Sequence, residues 1–329
     1  MGLESGDTLE AAFVSYVVHG DVGRLHDATI LVTTAIGSTH HRLDFLIGPG
    51  RALDTDRHAI VVVDALGNGL SVSPSNSTHQ PGAAFPRFTV RDMVESQRRL
   101  VDHLGIGRLA AVVGASMGGM QALQWGVSHP RRVAALVALT PMARTSRWSQ
   151  LVNEMSRRAL FFDPACQVPR PRGDAMRLWT PLTQLVMTRS PGVLDGFETQ
   201  AALLGWLDAT ADGLSVDGPD PFDWCHQTWA YDAHDLGTTP GFGGDTLAAL
   251  RSIEARTLVM APALDLYNPA PAARAAAAVV PGGRFVELPG DWGHASAAGL
   301  DAAATAVIDT AVRAWLGADA AVASRPGRA

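Results

Sequence analysis

Ser116 stands in Gly114-Ala115-Ser116-Met117-Gly118, a G-x-S-x-G motif with an apolar run before it at 110–113 and helical apolar spacing after it over 117–127. Glycines two residues either side permit a turn so sharp that larger side chains would collide, which lifts the serine hydroxyl clear of the strand. The helix that follows aims its first backbone N–H groups, beginning with that of Met117, at the point where negative charge develops on a substrate carbonyl oxygen. The pattern predicts acyl-group chemistry through a covalent acyl-serine. A dinucleotide-binding loop, the competing use of a glycine turn between strand and helix, requires glycine where Ser116 stands.

A serine hydroxyl is a weak nucleophile until a histidine, itself oriented by a carboxylate, can take its proton. On a strand–elbow–helix framework these follow in the order Ser, Asp or Glu, His. Of eleven histidines, His226, His234 and His294 lie far enough downstream. His294 closes Gly290-Asp291-Trp292-Gly293-His294, directly after a strand pattern at 284–288, and is the preferred base. Asp265 follows the strand pattern 257–261 in the same way and is the preferred acid, with Asp291 as its rival. His226 and His234 are read as solvent-facing or hydrogen-bonded residues, and the pair His40-His41 lacks a third ligand at metal spacing, so no metal site is expected. The second oxyanion donor is expected from the loop after the strand pattern 29–34, at the N–H of Ile36 or, as the alternative, of Ala35.

Elements able to position these residues are written in the periodicity. Strand patterns occur at 13–18, 29–34, 59–64, 109–113, 133–140, 257–261 and 284–288, and helical spacing at 90–104, 117–127 and 302–316. Short β-branched runs alternating with helices specify an α/β fold with a mostly parallel central sheet. The rhythm breaks from 143 to 250, where prolines, glycines and acidic residues interrupt apolar helical pieces. That stretch is expected to be a helical cap inserted between core segments 1–142 and 251–317, with 318–329 a disordered tail. It holds Trp148, Trp179, Trp206, Trp224 and Trp229, which could roof a pocket, bury a subunit contact or form a core of the insertion itself.

Composition bounds the function classes. With 329 residues and 47% hydrophobic content the chain can bury a full core, and a formal net charge of −6 without a basic run gives no electrostatic footprint for nucleic acid. Every basic residue besides histidine is arginine, which excludes a lysine nucleophile or base. Two cysteines, Cys166 and Cys225, suggest neither a disulfide framework nor a zinc site. Residues 1–20 lack the basic and apolar regions of a signal peptide, and no apolar stretch is long enough to span a bilayer, so a cytoplasmic enzyme without membrane association is expected.

Several separated segments together resemble the homoserine O-acetyltransferase family of α/β hydrolases. They are Ile47-Gly48-Pro49-Gly50-Arg51-Ala52-Leu53-Asp54-Thr55-Asp56-Arg57, Arg91-Asp92-Met93-Val94, Asp102-His103-Leu104-Gly105-Ile106, the elbow through Gln121, Arg157-Arg158-Ala159-Leu160 with Asp163-Pro164, and Gly293-His294. The resemblance implies a cap domain, a ping-pong mechanism through acyl-serine, and a homodimer formed through cap helices. The chain departs from it at Leu66-Gly67-Asn68-Gly69, continuing through Pro74-Ser75-Asn76, which looks more like the family's esterases. The cap departs as well, Tyr231-Asp232-Ala233-His234-Asp235 keeping only part of the family's motif; for the acceptor-binding arginine that the family carries there, Arg177 and Arg189 are the candidates, with an ordinary surface arginine as the alternative reading of each. The reading preferred from sequence is a cofactor-free hydrolase of a short-chain acyl ester. The alternative is an acyltransferase using acetyl-CoA as co-substrate and a small hydroxyl acceptor, and the third is a catalytically silent binding scaffold.

Overall fold

A computed structural model describes residues 1–26, 28–162 and 174–323. Asp163-Pro164 of the family pattern, Cys166 and residues 324–329 of the expected tail lie outside the described residues. All seven expected strands form: β1 (Tyr16–His19), β2 (Thr29–Thr33), β3 (Ala59–Val63), β4 (Leu109–Ala115), β5 (Val133–Leu139), β6 (Arg256–Pro262) and β7 (Arg284–Leu288). They build one sheet in the order β1-β3-β2-β4-β5-β6-β7, parallel throughout except for β1 against β3. The helices are α1 (Val90–His103), α2 (Met117–Ser128), α3 (Arg147–Phe161), α4 (Asp174–Leu182), α5 (Pro191–Leu194), α6 (Gln200–Asp217), α7 (Pro221–Asp232), α8 (Thr246–Arg251), α9 (Ala270–Val279) and α10 (Ala302–Ala323).

Strand order reverses between β2 and β4. The chain moves from β2 outward to β3, then returns to β4 on the other side of β2. Loops leaving the carboxyl ends of two such neighbours diverge and open a crevice, the usual ligand position in an open parallel sheet. Register sets the crevice wall: Thr33, the last residue of β2, pairs with Gly114, two residues before Ser116.

Strands buried on both faces hold the sheet rigid. Every residue of β2 and β3 is buried. Successive side chains point to opposite faces, so Val61 and Val63 join Trp125 of α2 and Val94 of α1, while Ile60 and Val62 join Ile308 and Val312 of α10. At the start of α1, Thr89 and Asp92 form a reciprocal capping box, with the Thr89 cap worth about 1 kcal/mol. The α2 helix is buried from Met117 to Val127, so the helix behind Ser116 has no solvent-facing side along which to shift.

Between β5 and β6 the helices α3, α4, α6 and α7 pack on one another, joined by a π-helical segment (Thr183–Thr188). A third apolar cluster lies over the strand ends and joins Met117 and Met120 to Met176, Trp179, Trp224 and Tyr267. Trp179 and Trp224 meet edge to face at 4.8 Å, whereas Trp148 is half exposed. Toward the end of the same stretch, Ala249 and Leu250 of α8 belong to the cluster beneath the sheet, together with Leu236.

Candidate active site

The elbow carries backbone strain where the chemistry needs it. Ser116 adopts φ 57° and ψ −122°, a conformation that side-chain-bearing residues rarely take and that persists only when its surroundings hold it. Its N–H donates to Leu139 O at 2.8 Å, tying the turn to the end of β5. The two motif glycines are required by close approach rather than by φ. A Cβ on Gly114 would lie 2.3 Å from the backbone of Gly118 and from Thr33 Oγ1, and one on Gly118 would lie 2.4 Å from Thr33 O.

Three loops leaving β4, β6 and β7 bring Ser116, Asp265 and His294 together. Ser116 Oγ lies 2.8 Å from His294 Nε2, and His294 Nδ1 lies 2.7 Å from Asp265 Oδ2. The other carboxylate oxygen accepts from the N–H groups of Tyr267 at 2.9 Å and Asn268 at 2.7 Å, so the acid is clamped by its own loop. Tyr267 stands edge-on to the His294 ring with centroids 5.3 Å apart. Ser116 is 2% exposed and His294 6%, so the nucleophile and base are held away from bulk water. In this geometry a carboxylate fixes the tautomer that leaves Nε2 free to take a serine proton. Asp291, the rival acid, faces Gly192 of α5 instead, and its carbonyl accepts from Ser190 Oγ.

The expected oxyanion donors come from different segments. Met117 begins α2, with its N–H among the helix-terminal groups that have no partner within the helix. In the loop after β2, Gly37 N–H donates to Gln227 Oε1 at 2.8 Å and Ser38 N–H to Ala35 O at 3.3 Å. The N–H groups of Ala35 and Ile36 have no hydrogen-bond acceptor among the described residues, which leaves the same two alternatives that the sequence offered.

Other singled-out residues find structural partners. His226 sets its two ring nitrogens against the carbonyls of Phe222 and Phe85, and burial lowers its pKa. His234 bonds Met142 O, and burial pulls its pKa down to about 4. His40 and His41 pair with Asp64 and Asp44 respectively. Among the described residues no group of three or more histidine, cysteine, aspartate or glutamate side chains could hold a metal ion. Nor is any helix there long and apolar enough to cross a membrane. Arg177 is exposed and committed to Asp208 and Asp212. Arg189 packs its half-buried guanidinium over Trp206 and Trp292, and its backbone abuts Gly293 beside the candidate base.

A cavity of about 530 Å³ opens beside Gly37, bounded by Asn68, Asp220, Asp223, Trp224 and Gln227, but no triad residue lines it. Burial pushes the Asp223 carboxyl up to about 7, even though Ser75 donates to both of its oxygens. Sequence reasoning missed Asn268, whose side chain joins Tyr231 to Thr140 O, and missed Thr140 itself, which adopts φ 47° at the end of β5. A lone asparagine directly after an aromatic has no sequence signature for this role.

A strained serine elbow at the switch point of a seven-stranded α/β sheet, with histidine and aspartate delivered by later strand ends, defines the α/β-hydrolase class. The family model described as alpha/beta hydrolase fold matches residues 43–165. The homoserine O-succinyltransferase of Stutzerimonas stutzeri (strain A1501) is 40% identical over 181 residues, covering 49% of this chain and 48% of the relative. The chain thus spans about half the length of that curated relative. The homoserine O-acetyltransferase of Symbiobacterium thermophilum is 32% identical over 334 residues, covering 89% of this chain and 86% of the relative. Among solved structures, the acetyl esterase MekB superposes with a TM-score of 0.88 at 29% identity, over 96% of this chain and 94% of that one. The chain belongs to the homoserine O-acyltransferase family of α/β hydrolases.

Proposed function

We propose that this protein is a cytoplasmic acyltransferase that moves an acyl group from an acyl-CoA thioester to the hydroxyl of a small acceptor such as homoserine. The observation that carries the reading is the 32% identity to a homoserine O-acetyltransferase across 89% of the chain. It displaces the preference for water as acceptor drawn from the departures in the Asn68 region and in the cap. The near-complete burial of Ser116 supports it as well, since transfer depends on keeping water from the acyl-enzyme.

In this mechanism His294 Nε2 takes the proton of Ser116 Oγ as the oxygen attacks the thioester carbonyl. The tetrahedral oxyanion is held by the N–H groups of Met117 and Ile36, with Ala35 as the alternative to Ile36. His294 returns the proton to the departing thiolate, leaving acyl-Ser116 and free CoA. The acceptor hydroxyl then gives its proton to His294 and attacks the acyl carbon, and the collapsing intermediate releases the ester while His294 reprotonates Ser116. Asp265 keeps the ring oriented throughout. The helices α3, α4, α6 and α7 act as the cap over the crevice, and Arg189, beside the histidine loop, is the better placed of the two arginines to meet an acceptor carboxylate. The outward face of α3, with Trp148, Leu151 and Met155 about half exposed, suits a second copy of the chain.

Ester hydrolysis is the second reading, favoured by the likeness to an acetyl esterase at 29% identity. The deciding experiment supplies acetyl-CoA with and without homoserine, and separately an aryl acetate, while following free thiol, acetylated acceptor and free acid. Thiol release that requires homoserine and matches acetylated product supports transfer. Acid release from either donor at a rate indifferent to homoserine supports hydrolysis and defeats the main proposal.

A further inference from the structure

Between the nucleophile helix and the loop after β2 lies a chain of buried side-chain amides that the proposed chemistry does not by itself require. Gln121 of α2 donates through Nε2 to Thr34 O at 2.9 Å and to Met117 O at 3.1 Å. Its Oε1 accepts from Gln97 Nε2 at 2.5 Å, and Gln97 Oε1 accepts from Trp125 Nε1 at 2.8 Å. None of the three side chains is more than 1% exposed.

The direction of this chain follows from chemistry alone. An indole N–H can only donate, so the Gln97 atom facing Trp125 is its oxygen and the one facing Gln121 is its nitrogen. Gln121 must therefore present oxygen to Gln97 and nitrogen to the two carbonyls. One NH2 group, using one hydrogen for each, sets the spacing between the Thr34–Ala35 peptide and the residue that opens α2. These are the segments that carry the expected oxyanion donors. Because the Thr34–Ala35 peptide is trans, fixing its C=O fixes its N–H in the opposite sense, and with it the entry to Ile36. At its far end the loop is held by Gln227 through Gly37, so the two N–H groups without an internal acceptor lie between two glutamine anchors.

We infer that Gln121 is a positioning residue for the oxyanion site, holding the loop donor at a set distance from the Met117 N–H, with Gln97 and Trp125 locking its amide in the one productive orientation. The inference rests on the acyl-serine reading. Gln121→Met preserves length and removes both bonds. Losing an oxyanion donor outright costs about 10²–10³ in rate, so displacing one is expected to lower kcat by roughly tenfold to a hundredfold with KM changed less than about threefold. Affinity for a trifluoromethyl ketone, whose adduct on serine carries the oxyanion, should fall in step with kcat/KM. Affinity for the ester product should hold.

Equal weakening of both ligands, or a lower melting temperature with unchanged kcat, overturns the inference by reducing Gln121 to a packing role. Should Gln121→Met not fold, Gln97→Met, which touches neither carbonyl, is measured in the same way. It is expected to shift the ketone-to-product affinity ratio in the same direction and by less, and an unchanged ratio overturns the inference. Ser116→Ala separates the two levels. Activity surviving in that variant defeats the acyl-serine reading itself, whereas a silent Ser116→Ala beside a wild-type Gln121→Met defeats the positioning role alone.

Discussion

Asp265→Asn tests the triad while leaving its shape in place. In the wild type, Asp265 Oδ1 accepts the N–H groups of Tyr267 and Asn268, and Oδ2 meets His294 Nδ1 at 2.7 Å. An asparagine must keep its carbonyl oxygen toward the two backbone donors, because an NH2 group there would face N–H groups and leave all of them unpaired. Its amide nitrogen then points at Nδ1 and donates to it. The ring proton moves to Nε2, which now donates to Ser116 Oγ where it should accept. A base disabled by this tautomer reversal costs about 10⁴ in kcat in a serine triad, or roughly 5 kcal/mol of transition-state stabilisation. The assay is initial-rate release of thiol from acetyl-CoA with homoserine and of phenol from an aryl acetate, with thermal unfolding as the check on structure. A folded variant whose kcat falls less than about tenfold with either donor would refute the assignment of Asp265.

Four further outcomes are expected. Gly118→Ala would place its Cβ 2.4 Å from Thr33 O and push the loop after β2 away, so kcat should fall by more than the overpacking cost of about 1–3 kcal/mol read in a denaturant titration. Asp223, raised from its ordinary 3.8 to about 7, holds a proton when folded that the unfolded chain releases, so its contribution to stability is present below about pH 4 and lost as pH rises toward about 7. Asp223→Asn should flatten that slope in unfolding measured across the same range. His234 acts in the opposite sense: lowered from 6.5 to about 4, it stays neutral when folded and withdraws stability as pH falls through that window, a limb that His234→Gln should reduce. If α3 seats a second copy, Met155→Arg should convert dimer to monomer in sedimentation, and a wild-type chain already monomeric at micromolar concentration would contradict that surface.

The strands and Ser116 were legible because their signals are local. The β-branched run of β3 can be buried in only one way, and G-x-S-x-G between a strand and a helix admits few other uses. Asp265 and His294 were legible at one remove, since each follows a strand whose carboxyl end must reach the crevice side of a parallel sheet. The oxyanion loop was legible only as far as Ala35 or Ile36, because the choice depends on peptide-plane orientation, which pattern does not encode. Gln97, Gln121 and Gln227 read as ordinary helix residues; their partners on other elements lie 24 to 190 positions away and become visible only once the helices pack. Arg177 and Arg189 have the same sequence character, yet one is paired at the surface and the other lies against the histidine loop. Acyl acceptor identity stayed ambiguous because the Asn68 turn and the cap depart from the acetyltransferase pattern that the other matching segments keep.

The covalent intermediate is the central claim. The direct measurement is rapid-quench peptide mass spectrometry of the enzyme mixed with acetyl-CoA alone. One acetyl group is expected on the peptide containing Ser116, absent in Ser116→Ala, persistent without acceptor and discharged when homoserine is added, with acetylated homoserine appearing in equal amount. An enzyme that turns over its donor with no acetyl group on Ser116 at any quench time, or with the label on another residue, would contradict it.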